Sequence, residues 1–164
     1  YPLLNFVIVL DAGHGDEDGG AIGIHTLVRE KDINLSIVQK LSRLFESAGA
    51  TVVLTRKNEN SLCVGKYNKL EDMQARAAVI EAASPYVVIS VHCNSFPQSK
   101  KVKNEDFYML RHVNSTNVMI ECGFLSSPEE EKLLCDDAYQ DMLAYAVFDG
   151  TCTYMADILT PQNH

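Results

Sequence analysis

Two almost unbroken apolar runs, FVIVL (residues 6–10) and YVVISVH (residues 86–92), narrow the fold of this chain more than any other feature. Each is too short for a helix that covers a core and has no polar face, so each is expected to be a strand buried on both sides. TVVLTR (51–56) reads as another such strand. Between the first two strands the period changes. Ile33, Ile37, Leu41, Leu44, Phe45 and Ala48 recur at spacings of three and four from Glu30 onward, which predicts a helix, and Gly49 stands at its C-terminal cap. After a polar stretch, 57–69, helical spacing returns at Leu70, Met73, Ala77, Ile80 and Ala83, and Pro85 stops it.

The second half is expected to continue in the same way. A basic linker, 95–106, leads to two further strands, FYMLR (107–111) and NVMIECGFL (117–125). SSPEEEKLL begins a helix with Ser127 as N-cap, Pro128 in the first turn and glutamates at the positive end of the dipole. A last, mostly buried helix is expected over 138–158, interrupted near Gly150. Strands alternating with helices predict one α/β domain over residues 1–164, with a mostly parallel sheet and helices on both faces. With 164 residues the chain is long enough for one domain with a real core, not two. In such sheets, sites collect at the carboxyl ends of the strands.

Composition excludes some partners. A net charge of −8 argues against nucleic acid and anionic membranes, which would be repelled. No stretch approaches the roughly 20 apolar residues of a membrane span. Five cysteines, Cys63, Cys93, Cys122, Cys135 and Cys152, contain no CxxC pair, and their odd number is not a disulfide framework. They read as small buried hydrophobes and point to a reducing compartment.

Three strand ends carry chemistry: LDAGHG, VHCNS and IECGF. His14 sits between Gly13 and Gly15, which allow a tight turn and close approach to a ligand. Asp16, Glu17 and Asp18 follow it and would repel a phosphate. His92 ends an apolar strand and, if buried, needs a partner. Glu121, inside VMIECGF, is either a paired structural carboxylate or a catalytic base near a metal. Glu30 taken alone reads as a first-turn glutamate favoured by the helix dipole. Two imidazoles and a carboxylate form a common catalytic zinc set with a fourth position left for water. The separations are too long for a short ligand motif, and the argument is that all candidates fall at one sheet edge. His25, His112 and His164 lack such context and read as surface residues. Strand alternation sends Cys93 and Cys122 to the faces opposite His92 and Glu121.

The series LDAGHG, REKDINL, VVLTR, QARAAVIEAA, VVISVHCNS, FYMLR and VMIECGFLSSPEEEKLL resembles the zinc-dependent N-acetylmuramoyl-L-alanine amidases of bacterial cell walls, over nearly the whole chain. The resemblance implies a phosphorylase/hydrolase-like α/β catalytic domain. It implies a zinc ion held by His14, Glu30 and His92, and Glu121 as the catalytic glutamate. Asn94 would orient substrate or the His92 loop, Asp11 would support His14, and Arg111 would contact substrate. Peptidoglycan is the implied substrate, a protein activator the implied partner, and the extracytoplasmic cell envelope the implied location. A leader or membrane anchor is then expected outside this sequence. NENSLCVGKYNKLEDMQAR is similar to the sporulation-linked branch that trims cortex peptidoglycan. One departure stands out: the family carries a further strand and helix after the HxN motif, where this chain has only Pro97 to Glu105. The resemblance implies that a true loss of this segment would remove one wall of the substrate groove. Two alternatives remain at this level: another zinc amidohydrolase of carboxypeptidase or deacetylase type, and a wall- or partner-binding relative that lost catalysis.

Overall fold

Alternation along the strands sorts the molecule into two unequal halves. The computed structural model describes residues 3–96 and 108–159. In chain order its elements are β1 (Val7–Ala12), α1 (Glu30–Ser47), β2 (Thr51–Leu54), α2 (Lys69–Ala83), β3 (Val87–Asn94), α3 (Tyr108–His112), β4 (Asn117–Phe124), α4 (Pro128–Leu134) and α5 (Asp137–Leu159). The strands form one parallel sheet in the order β2-β1-β3-β4. Ile8, Leu10 and Ala12 of β1 and Val87, Ile89, Val91 and Cys93 of β3 pack with Ile33, Ile37, Leu41 and Phe45 of α1 and with Ala144 and Met155 of α5. Each Val, Leu, Ile, Phe or Met among them contributes about 1.5–3 kcal/mol by leaving water. The other sheet face has a much smaller core, in which Val9 and Val88 meet Ile80 of α2 and Met109 and Val113 nearby. Asp11, Ser90, His92, Met119 and Glu121 belong to this second face by the same alternation. The larger core therefore holds the sheet rigid while the smaller one leaves space beside the polar residues.

Local chemistry explains where the elements begin and end. No side chain caps α1. The backbone N–H of Glu30 donates instead to the Ala21 carbonyl (2.8 Å) and that of Lys31 to Gly19 (3.1 Å), so the preceding loop satisfies the first turn. Gly49, at φ +93°, follows α1 in the left-handed region that suits glycine. Ser127 caps α4 by accepting from Glu130, with Pro128 next to it, as the sequence predicts. Among the described residues no helix is long and apolar enough to cross a membrane.

Three expectations change. FYMLR is not a strand. Tyr108–His112 is one short helix, in which Tyr108 stacks on His112 four residues on. Met109 and Val113, also four apart, reach the same core. A run this short fits either period, and burial at the i, i+4 spacing decides it. Helix α5 is not interrupted at Gly150 but runs through it. A glycine there costs about 1 kcal/mol, and the helix is not mostly buried as expected: over 137–158 only Gln140, Ala144 and Met155 are buried. β4 is not covered on both faces: among the described residues it is an edge of the sheet, and Val118 is 41% exposed. Most of the expected linker over 95–106 lies outside the described residues.

Candidate metal centre

The chain turns sharply as it leaves β1. His14 adopts φ +63°, a left-handed conformation uncommon for a residue with a side chain. Buried polar groups hold the turn. Arg76, fully buried on α2, donates to Asp11 Oδ1 (2.8 Å), to Asp72 Oδ2 (2.8 Å), and to the carbonyls of Ala12 and His14. Arg56 donates to the carbonyls of Ala12, Gly13 and Lys31 at 2.7–2.9 Å. Gly13 is required by close approach, because a Cβ at this position would overlap the His92 ring. Gly20, at φ +67°, lies in the same way against Glu30 and His14.

The turn brings His14 to Glu30, the first residue of α1, and to His92, near the end of β3. His14 Nε2 lies 3.1 Å from Glu30 Oε1, and His92 Nδ1 lies 3.0 Å from the same oxygen. The two rings meet edge to face with centroids 5.1 Å apart. One donor atom from each of His14, Glu30 and His92 lies within 4.8 Å of the others. Two nitrogens and one carboxylate oxygen, converging from three elements, match the donor set of a three-ligand catalytic metal site with an open position. Burial disfavours a charged Glu30, but bonds from both imidazoles and from the Ala21 amide outweigh it and hold the carboxyl well below its usual range. Burial likewise opposes charge on His14, yet Asp18 and Glu30 push its pKa up to about 9.

The structure places the remaining candidates as follows. Glu121 stands in direct register with His92 on the neighbouring strand and lines the same cavity, of about 340 Å³. It is exposed, not enclosed as its apolar sequence context suggests, because β4 is the sheet edge. Asn94 lines the cavity too, its side chain accepting from the Ser95 amide. Arg111 is exposed on α3 and is not among the described residues that line the cavity. Cys93 packs into the α1 face. His25 and His112 are exposed, and His164 lies outside the described residues.

Asp11 corrects an expectation. It does not hold the His14 ring directly, because Arg76, Thr55 (2.6 Å) and Ser90 (3.0 Å) occupy its oxygens. Burial raises the Asp11 pKa, but the Arg76 charge and the Thr55 hydroxyl outweigh it and leave it below its ordinary value. Its contribution to stability is therefore present above about pH 3.9 and is lost as pH falls through the lowered folded-state value. The His14 ring is instead held by Asp18, whose Oδ2 lies 3.0 Å from Nδ1. Asp18 also accepts from the Tyr67 hydroxyl (3.0 Å) and the Gly20 amide (3.1 Å). The sequence signal for Asp18 is its place in the acidic run Asp16, Glu17, Asp18 that follows His14. Arg76 had none beyond a charge on an otherwise helical pattern.

Two predictions follow from these contacts. Arg76→Met leaves Asp11 and Asp72 buried without their cation and is expected to destabilise the fold by about 3–5 kcal/mol. A lower urea midpoint at unchanged slope is the measurement. Asp18→Asn is expected to weaken metal affinity about 10–100-fold, since a carboxylate on the far nitrogen fixes a ligating ring. Competition against a chelating dye reads that change.

Comparison with known proteins gives a consistent picture. The family profile described as N-acetylmuramoyl-L-alanine amidase matches residues 8–101 and 97–152. The germination-specific N-acetylmuramoyl-L-alanine amidase of Bacillus subtilis is 27% identical over 197 residues, spanning 95% of this chain and 82% of that protein. The B. subtilis N-acetylmuramoyl-L-alanine amidase LytC is 26% identical over 93% of this chain, which spans only 36% of LytC. Among solved structures, the CwlD amidase from Clostridioides difficile, in complex with the GerS lipoprotein, superposes with a TM-score of 0.84 at 32% identity, covering 93% of this chain and 99% of that one. The alignment to the germination-specific enzyme is longer than the chain itself, and the family match breaks at 97–101. The relative therefore carries residues without a counterpart here, and the break lies where the sequence departs from the family pattern.

Proposed function

The chain belongs to the N-acetylmuramoyl-L-alanine amidase family, and we propose that it is a zinc hydrolase that cleaves the amide between N-acetylmuramic acid and L-alanine in peptidoglycan. The observation that carries this is the convergence of His14, Glu30 and His92 within 4.8 Å, with Glu121 in register beside His92 in the same cavity. His14, Glu30 and His92 hold the metal. Asp18 on Nδ1 leaves Nε2 of His14 as its ligating atom. When bound, zinc supplies Lewis acidity that polarises the scissile carbonyl and makes water nucleophilic near neutral pH.

The chain's own groups do the rest. Glu121, exposed at the cavity rim, takes the proton of the attacking water and delivers it to the departing alanine nitrogen. Asn94, on the bulged end of β3, orients the substrate amide. Asp11 acts only through Arg76, which holds the backbone on which His14 stands. The germination-specific relative and the lipoprotein complex of the C. difficile enzyme support placing this activity in the bacterial cell envelope, at the spore cortex, with a protein partner.

The test is digestion of purified peptidoglycan with zinc-loaded protein. Stem peptides with a free N-terminal L-alanine, released while the glycan stays unbroken, are expected. Release of a C-terminal amino acid or of acetate instead identifies the carboxypeptidase or deacetylase chemistry and ends the proposal.

A further inference from the structure

We propose that Glu131 is a positioning residue for the metal site, clamping the tip of the loop whose base carries Glu30. The inference rests on the zinc-site reading above and assigns a role to a residue outside it.

Glu131 lies on α4 and is 1% exposed, although the loop residues it holds, His25 and Thr26, are exposed. Its Oε1 accepts from the Thr26 amide (2.7 Å), the Thr26 hydroxyl (2.7 Å) and the His25 amide (3.1 Å), and its Oε2 also faces the His25 amide (3.1 Å). These donors hold the carboxyl below its ordinary pKa, the Thr26 hydroxyl foremost. Gly23 completes the fit, because a Cβ there would overlap the Glu131 carboxylate.

The clamped loop is stiff from tip to base. Gly23 N–H donates to the Val28 carbonyl (2.9 Å), and Ile22 bridges to Arg29. At the base, Ala21 N–H donates to Glu30 Oε2 (2.8 Å) while Glu30 N–H donates to the Ala21 carbonyl (2.8 Å). Displacement of the tip therefore reaches the Glu30 carboxylate through a short ladder, in which the Val28 N–H turns to the Thr26 hydroxyl (3.2 Å). The other end of the clamp is also tied down. Glu130, next to Glu131, accepts from the Phe124 amide (2.8 Å) at the end of β4, the strand that bears Glu121. Two adjacent glutamates thus join the loop bearing the metal carboxylate to the strand bearing the proposed base.

The experiment measures zinc affinity by dye competition, and the visible spectrum of the cobalt-substituted protein, for the wild type, Glu131→Ala, Thr26→Val and Gly23→Ala. Expected results are a 10–100-fold loss of zinc affinity in Glu131→Ala, smaller losses in the two loop variants, an altered cobalt spectrum, and lower kcat at unchanged KM on peptidoglycan. Thr26→Val removes one hydroxyl from an exposed loop, so it reports even where Glu131→Ala fails to fold. Wild-type affinity and spectrum in all folded variants overturn the clamp and leave the amidase reading intact. A wild-type protein that binds no zinc overturns both.

Discussion

Glu121→Gln is expected to lower kcat on purified peptidoglycan by about 10²–10⁴-fold while leaving one zinc per chain. Glutamine keeps the size of the side chain and its place on β4 but can neither take a proton from water nor return one to an amine. Glu121 is not one of the three clustered donors, so metal content stays at the wild-type level. Its exposure and the near-isosteric change keep the expected effect on stability small. The pair of measurements is therefore selective: a variant with full metal and a kcat within a few-fold of wild type removes Glu121 from the role of base. A variant short of metal assigns it to the zinc site instead.

His92→Ala is expected to abolish both metal and turnover. Its imidazole lies against Gly13 and 3.0 Å from Glu30, and an alanine there supplies no ligand atom. The effect also appears in stability. Zinc at 100 times its Kd stabilises a native state by about 2.7 kcal/mol, which for a chain of this length raises the melting temperature by about 5–10 °C. The wild type is expected to show that rise, to lose it on chelation, and to regain it on addition of zinc. His92→Ala is expected to melt at the same temperature with and without zinc. A zinc-dependent rise retained in His92→Ala places the ion elsewhere and contradicts the proposed centre.

The missing segment bears on substrate, not on chemistry. The relatives' additional residues fall between β3 and β4 in chain order, whereas His14, Glu30, His92 and Glu121 lie outside that break. Loss of those residues is expected to act on the hold on glycan and stem peptide and to leave the proposed metal ligands untouched. It is therefore expected to appear in KM rather than in zinc affinity.

Sequence alone determined the elements whose signals are local. FVIVL and YVVISVH admitted only buried strands, the period through Ile33, Ile37 and Leu41 admitted only α1, and Ser127 with Pro128 marked the start of α4. Strand alternation alone also puts Cys93 opposite His92, as found. Tertiary structure decided whatever depends on partners distant in the chain. Arg76 reaches Asp11 across 65 positions and Glu131 reaches Thr26 across 105, and neither contact leaves a trace in local periodicity. Glu121 looks buried among its sequence neighbours and is exposed because its strand is the sheet edge, a property of the whole topology. Periodicity reports which face of one element leaves water, whereas a charged group is placed by the particular donors and acceptors that the folded chain brings to it.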